Sequence, residues 1–501
     1  MKKQFYIFIG ILFIFFLLFH PAKVLAQDFY ISPAGSDFNP GTESQPFQTI
    51  EKARLMIQTI NQTEDINVFL KGGVYELTNS LVFGPEDSGK NGFYINYKNY
   101  PDEIPVISGG KKITGWVQEG NRWKAYLGTG INTRQLYING VRVIRARSDN
   151  GLPGGAKTLT GYVTNDTTMQ DWGNQTDIEI VANLLWKQFR CPVQSINGNA
   201  ITMKQPCFNS SQQHTGVEMG LPTWIENAYE LLDSQGEWYL NRLSGWIYYL
   251  PKANEDMTKT VAIMPILETL ISGQGTLDNP IHNLTFKGLV FAYATWLRPG
   301  TDEGFAQVQA DFSITSATPF STSPPGAWTQ TPANITFNRA QNISFMENIF
   351  IHLGAVGLGF NYGSQNNVIS GNHFTDISAS AINIGDVDKP KTADSREITK
   401  NNQITNNYIH NVAVEYLGSV GMWLGYVQNS LISHNELTDL PYTGISIGWG
   451  WGSNDPTIAT GNRVERNLIY NHVKSLVDGG GIYSLAAQPG NIYAVAQVLG
   501  N

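Results

Sequence analysis

Two aspartates in the second half of the chain stand where acid–base chemistry could be done. Asp478 is followed by Gly479-Gly480-Gly481 and lies three residues before a strand opening, and glycines let a backbone come close to a ligand. Asp439 precedes Gly444 by five residues, in what reads as the coil below. Cleaving a sugar acetal takes two carboxyl groups, an acid and a nucleophile or water-activating base, roughly 5–9.5 Å apart. Neighbouring coils stack about 4.8 Å apart, so Asp439 and Asp478 are expected to lie within about 10 Å of each other, one of them with a raised pKa. Asp439 also has a plainer reading, because the same repeat position holds His352, Asp376, Asn411 and Asn471. Glu415 is its main competitor. Four aromatics could complete a sugar site. Trp423 and Tyr483 alternate to the outer face of their strands, and Trp449 and Trp451 sit between glycines in a loop.

These residues are positioned by a repeat. Asn348, Asn372, Asn407, Asn435 and Asn467 each open the same pattern of alternating apolar and polar residues, at steps of 24, 35, 28 and 32. A small residue then starts a second strand, at Gly357, Ala381, Gly421, Gly444 and Gly481, followed inward by Leu358, Ile382, Met422, Ile445 and Ile482. A unit this short cannot bury its apolar side chains alone; stacked units can. The expected fold is all-β, a right-handed parallel β-helix (a solenoid) with Asn side chains laddering through its turns. From the repeat Asn to the strand opening is 9 residues in three coils but 14 in those of Asn407 and Asn467. The extra residues carry Glu415 and Asp478, which is why these two carboxylates stand out.

Upstream, Ile50, Ala53, Ile57 and Ile60 recur at helical spacing after Thr49, which predicts an N-terminal capping helix. Residues 27–118 are read as this cap with the first coils, and 259–501 as the main solenoid. Residues 119–258 break the repeat and read as an inserted, sandwich-like β domain with an Asn139-Gly140 hairpin turn. The Ser, Thr, Pro and Ala-rich stretch 300–332 reads as a long loop or small insertion. Chain end Asn501 follows soon after the strand at Ile482, so further coils are expected beyond it. Residues 1–26, with Lys2 and Lys3 before an apolar run from Phe5 to Phe19, form an expected signal peptide, implying export to the periplasm or beyond. Cys191 and Cys207, the two cysteines, could close a disulfide or stay as buried thiols.

The composition excludes several classes. With 15% charged residues, 50 glycines and a net charge of −8 over 501 residues, coiled coils and phosphate-binding surfaces are disfavoured; the scattered basic residues are read as forming no patch. The histidines lack paired metal spacing, and no cofactor or metal is expected. No later stretch is apolar enough to span a membrane.

The opening Phe29-Tyr30-Ile31-Ser32-Pro33-Ala34-Gly35-Ser36-Asp37 resembles that of many secreted polysaccharide-active β-helix proteins. More specific are Gln135-Leu136-Tyr137-Ile138-Asn139-Gly140, Glu226 to Asp233, Asp439 to Ser446 with Trp449-Gly450-Trp451-Gly452, and Asp478 to Tyr483. Together they resemble glycoside hydrolase family 141, a family that includes α-L-fucosidases and xylanases. The resemblance implies a glycoside hydrolase acting on plant cell-wall type polysaccharide, and a monomer is expected. The loop lengths and strand alternation above then make Asp439 and Asp478 the expected catalytic pair and Glu415, Trp423, Trp449, Trp451 and Tyr483 the expected substrate contacts. A polysaccharide lyase on the same fold, drawing its base from Arg463, Arg466 or Lys474, is the main alternative. A non-catalytic carbohydrate-binding β-helix is the other.

Overall fold

The computed structural model describes residues 28–212, 216–315, 328–450, 455–494 and 497–498. The expected signal peptide and Trp451 therefore lie outside the described residues. Among the described residues three parallel sheets of ten, nine and eight strands run along the molecule, each complete coil contributing one strand to each sheet and the two ends contributing fewer. This is the right-handed parallel β-helix expected from the repeat, the hand that parallel crossovers take. In the coil that begins at Ala340–Met346, the chain continues through Ile349–Leu353 in the second sheet to Val356–Asn361 in the third.

The asparagine ladder explains the repeat. Nδ2 of Asn348, Asn372, Asn407 and Asn435 donates to Oδ1 of the ladder residue one coil on, at 2.9–3.0 Å. The same Oδ1 also accepts from the backbone N–H of the ladder residue below, so each side chain satisfies buried turn groups that water cannot reach. A second ladder links Asn367, Asn402, Ser430, Asn462 and Asn491. Inside the coils the core is aliphatic with stacked phenylalanines, such as Phe350 on Phe374 at 4.4 Å between centroids. The capping helix is Ile50–Gln58. Its N-cap Thr49 accepts a hydrogen bond from the Lys52 N–H, and its buried Ile50, Ala53 and Ile57 join the solenoid core.

The insertion departs from the expected boundaries. An eight-stranded sheet takes in Gly110–Ile113 and Ala262–Pro265, both outside residues 119–258. Its Leu136–Ile138 and Val141–Arg145 strands form the expected antiparallel hairpin, with Asn139 and Gly140 both at positive φ. A further sheet is built on the long strand Lys187–Asn197. Residues 300–332, read from sequence as a long loop or small insertion, carry the strands Phe305–Gln309, Phe312–Ile314 and Trp328–Gln330, which join that sheet through Arg190 opposite Phe305. The disulfide forms between Cys191 and Cys207, tying that strand to the short helix Cys207–Ser211.

Candidate functional site

The outer face of the third sheet is where the sequence placed its aromatics. Gly359, Asn383, Trp423, Ser446 and Tyr483 do stack there in register. The face is covered, however, by the strands Phe305–Gln309, Phe312–Ile314 and Trp328–Gln330. Phe312 packs 5.0 Å from the Trp423 ring and 4.4 Å from Trp449, leaving these tryptophans 0% and 1% exposed. Trp423 and Trp449, expected at a groove, are therefore core residues of an interlayer; their apolar area is removed from water by a segment distant in sequence. Tyr483 is half-buried against the edge of the same cluster. Beneath this cover lies a carboxyl that the sequence reading missed. Asp311 is fully buried against Ser380, Ser419 and Asn383 without a well-aligned hydrogen bond, and burial pushes its pKa up.

Asp478 is exposed at the rim of this layer, in a left-handed turn with φ 61°. Two contacts hold its backbone. Tyr442 Oη donates to the Asp478 carbonyl at 3.0 Å, and the Val477 N–H donates to the carbonyl of Leu185, at a hairpin tip of the insert. The glycine after it has a packing reason: a Cβ on Gly479 would lie 2.7 Å from both Tyr442 and Thr443. Asp439 occupies the αL turn position that it shares with His352, Asp376, Asn411 and Asn471, all at φ of 49–59°, a conformation in which Asp and Asn are favoured among non-glycine residues. Its side chain faces solvent. Oδ1 pairs with Lys474 Nζ at 2.9 Å and Oδ2 accepts from Thr438. The hydrogen bond from Lys474 holds the Asp439 carboxyl below the usual range, opposite in direction to the raised acid expected of the pair.

Glu415 lies elsewhere, in a cavity of about 370 Å³ between the solenoid and the insert. Its 14-residue loop carries it to Arg134, whose Nε donates at 3.1 Å, and to Gln135, whose Nε2 donates at 2.6 Å; Ser378 Oγ adds a third bond at 3.1 Å. Burial alone would raise its pKa, but Arg134, Arg190 and Arg142 outweigh that and lower it. Arg134 also grips Glu179 through both terminal nitrogens, at 2.6 and 2.9 Å. Arg145 bridges Glu179 and Glu226 at 3.0 Å each, and Arg190 pairs with the same two carboxylates. Arg142 holds Asp376 at 2.7 Å. The basic residues thus do form a patch, contrary to the reading from composition. They converge because the hairpin strand Val141–Arg145 carries Arg142 and Arg145 and meets the neighbouring strands of the insert at the solenoid wall.

No protein-family model matches the chain. A solved structure described as a glycoside hydrolase is similar over 94% of this chain and 87% of its own, with 28% identity and a TM-score of 0.85. A xylose complex of XylC covers 94% of this chain and 66% of its own at 18% identity and a TM-score of 0.49. An uncharacterized protein of Bacillus subtilis (strain 168), YwoF, is 32% identical over 116 residues. That match spans 22% of this chain and 23% of that protein. The class that the fold and the first of these likenesses support is a carbohydrate-active β-helix enzyme.

Proposed function

We propose that the protein is an exported glycoside hydrolase of the family 141 kind, acting as a monomer on plant cell-wall type polysaccharide. The observation that carries this reading is the 28% identical likeness to a glycoside hydrolase over nearly the whole of both chains. Within it, Asp439 is kept ionised by Lys474 and supplies the nucleophile or base. Asp478 is open to solvent at the same end of the third sheet and supplies the acid that protonates the leaving oxygen. Tyr483 lies close by at the rim, and Glu415 contributes a sugar contact from the separate arginine-lined cavity.

The test is product analysis on a panel of neutral and acidic cell-wall glycans, with Asp439→Asn and Asp478→Asn beside the parent chain. Each substitution is expected to remove nearly all turnover while leaving saccharide binding within a few-fold, because a charge needed in the transition state is lost but the shape is kept. A product carrying a 4,5-unsaturated uronate ring would replace the hydrolase by the lyase. Binding without turnover in the parent chain would replace it by a carbohydrate-binding β-helix.

A further inference from the structure

The cavity holding Glu415 is more basic than its own salt bridges require. Five guanidiniums line it, from Arg134, Arg142, Arg145, Arg147 and Arg190. The carboxylates that engage them are Glu179, Glu226, Glu415 and Asp376, so one positive charge is left over. That charge is at Arg147, an exposed residue whose guanidinium lies 5.1 Å from the centre of the Trp224 ring and has no carboxylate partner among the described residues. Trp224 is itself pinned, donating from Nε1 to Glu226 at 2.8 Å. It offers a fixed aromatic wall.

Neutral hydrogen-bonding capacity is left open in the same wall. Gln135 is 2% exposed, and while its Nε2 serves Glu415, its Oε1 accepts from nothing. The buried Nε of Arg145 is likewise unbonded. Buried polar groups in folded proteins are nearly always paired, and an orphan in a cavity wall points to a missing partner. The mouth is edged by exposed Ile144 and Val414, and about 370 Å³ falls within the roughly 300–1,000 Å³ of small-ligand pockets.

We propose that this cavity binds an anionic sugar residue, a uronic acid of an acidic polysaccharide. Its carboxylate pairs with Arg147 beside Arg145, its ring lies along Trp224, and a ring hydroxyl donates to Gln135 Oε1. A planar carboxylate matches the guanidinium fork, and aromatic faces take the apolar side of pyranose rings. The inference rests on the carbohydrate reading but not on hydrolysis. It makes the substrate acidic and gives Glu415 a hydroxyl-facing role opposite the carboxylate.

Calorimetric titration of the full chain with trigalacturonic acid, with a neutral galactose trisaccharide and with sodium sulfate tests this directly, using Arg147→Gln and Trp224→Ala as variants. The acidic trisaccharide is expected to bind at least about tenfold more tightly than the neutral one, as one charge-assisted contact provides, and less tightly at high salt. Arg147→Gln should abolish that preference with an unchanged melting temperature, since Arg147 is exposed; Trp224→Ala should weaken both sugars. Equal binding of acidic and neutral sugars, or an undiminished preference in Arg147→Gln, would overturn the proposal. So would sulfate competing as well as the trisaccharide, which would make the cavity an anion site without sugar recognition. Hydrolysis of neutral glycans with no acidic preference would sink this inference and spare the hydrolase, and the converse outcome would do the reverse.

Discussion

Arg134 is the residue whose loss should be felt most widely, because it joins the insert to the solenoid. Its side chain is 2% exposed and donates twice to Glu179 and once to Glu415. Replacing it by Met keeps the volume roughly and removes three charge-assisted bonds. Removing one partner of a buried pair typically costs about 3–5 kcal/mol. Glu179 keeps Arg145 and Arg190, and Glu415 keeps Gln135 and Ser378, which points to the lower end, about 3 kcal/mol. The pH dependence follows from the signs. Both carboxyls are depressed in the folded protein, so the stability they contribute is present above their unfolded value, about 4.3, and is lost as pH falls through their lower folded values. Without Arg134 they take up protons at higher pH, which relieves the buried charge. Urea melts followed by tryptophan fluorescence should therefore show a large penalty for Arg134→Met at pH 7 and a smaller one at pH 4. A penalty below about 1 kcal/mol at pH 7, or one that does not change between the two pH values, would refute the view that this network holds the domains together.

Asn435→Ala removes a ladder side chain that accepts two bonds and donates two; it should cost about 3–4 kcal/mol through the buried groups left unpaired, whereas the exposed turn residue Asn471, replaced by Ala, should cost about 1 kcal/mol. Similar urea midpoints for the two would count against the ladder. Lys474→Met frees Asp439, so the acid limb of the pH–rate profile should move to higher pH; an unmoved limb would remove Asp439 from the mechanism. Cys207→Ser opens a disulfide spanning 16 residues and should lower stability by about 3 kcal/mol, an effect that reductant should reproduce in the parent chain and not in the variant.

What the sequence revealed and what it hid divide by distance along the chain. The solenoid was readable because the coils from Asn348 to Asn467 use the same buried Asn to satisfy their turns, and that demand recurs at each of them. The capping helix and the Asn139-Gly140 hairpin are equally local, set by side chains within a few residues of one another. Trp423 misled because its environment is made by Phe312, in a Ser- and Pro-rich region whose strand partner Arg190 lies more than a hundred residues earlier; alternation correctly turned the ring outward but could not tell what lies outside. The same limit hid the arginine cavity, since Arg134, Arg190 and Glu415 meet only once the insert folds against the coil. Glu415 itself was visible through a plain signal, a loop five residues longer than its neighbours. Asp439 shows the opposite hazard: a turn that requires αL geometry holds Asp or Asn in four of the five repeat coils, with His352 in the fifth, and chemistry has to be told apart from that background.

The most direct test is to digest an acidic and a neutral cell-wall oligosaccharide with the full chain in oxygen-18 water and to follow products by mass, with Asp478→Asn in parallel. The expected result is saturated fragments in which one new reducing end carries the heavy oxygen, formed by the parent chain and nearly absent with Asp478→Asn. Unlabelled fragments with an unsaturated end, or undiminished cleavage by Asp478→Asn, would contradict the account.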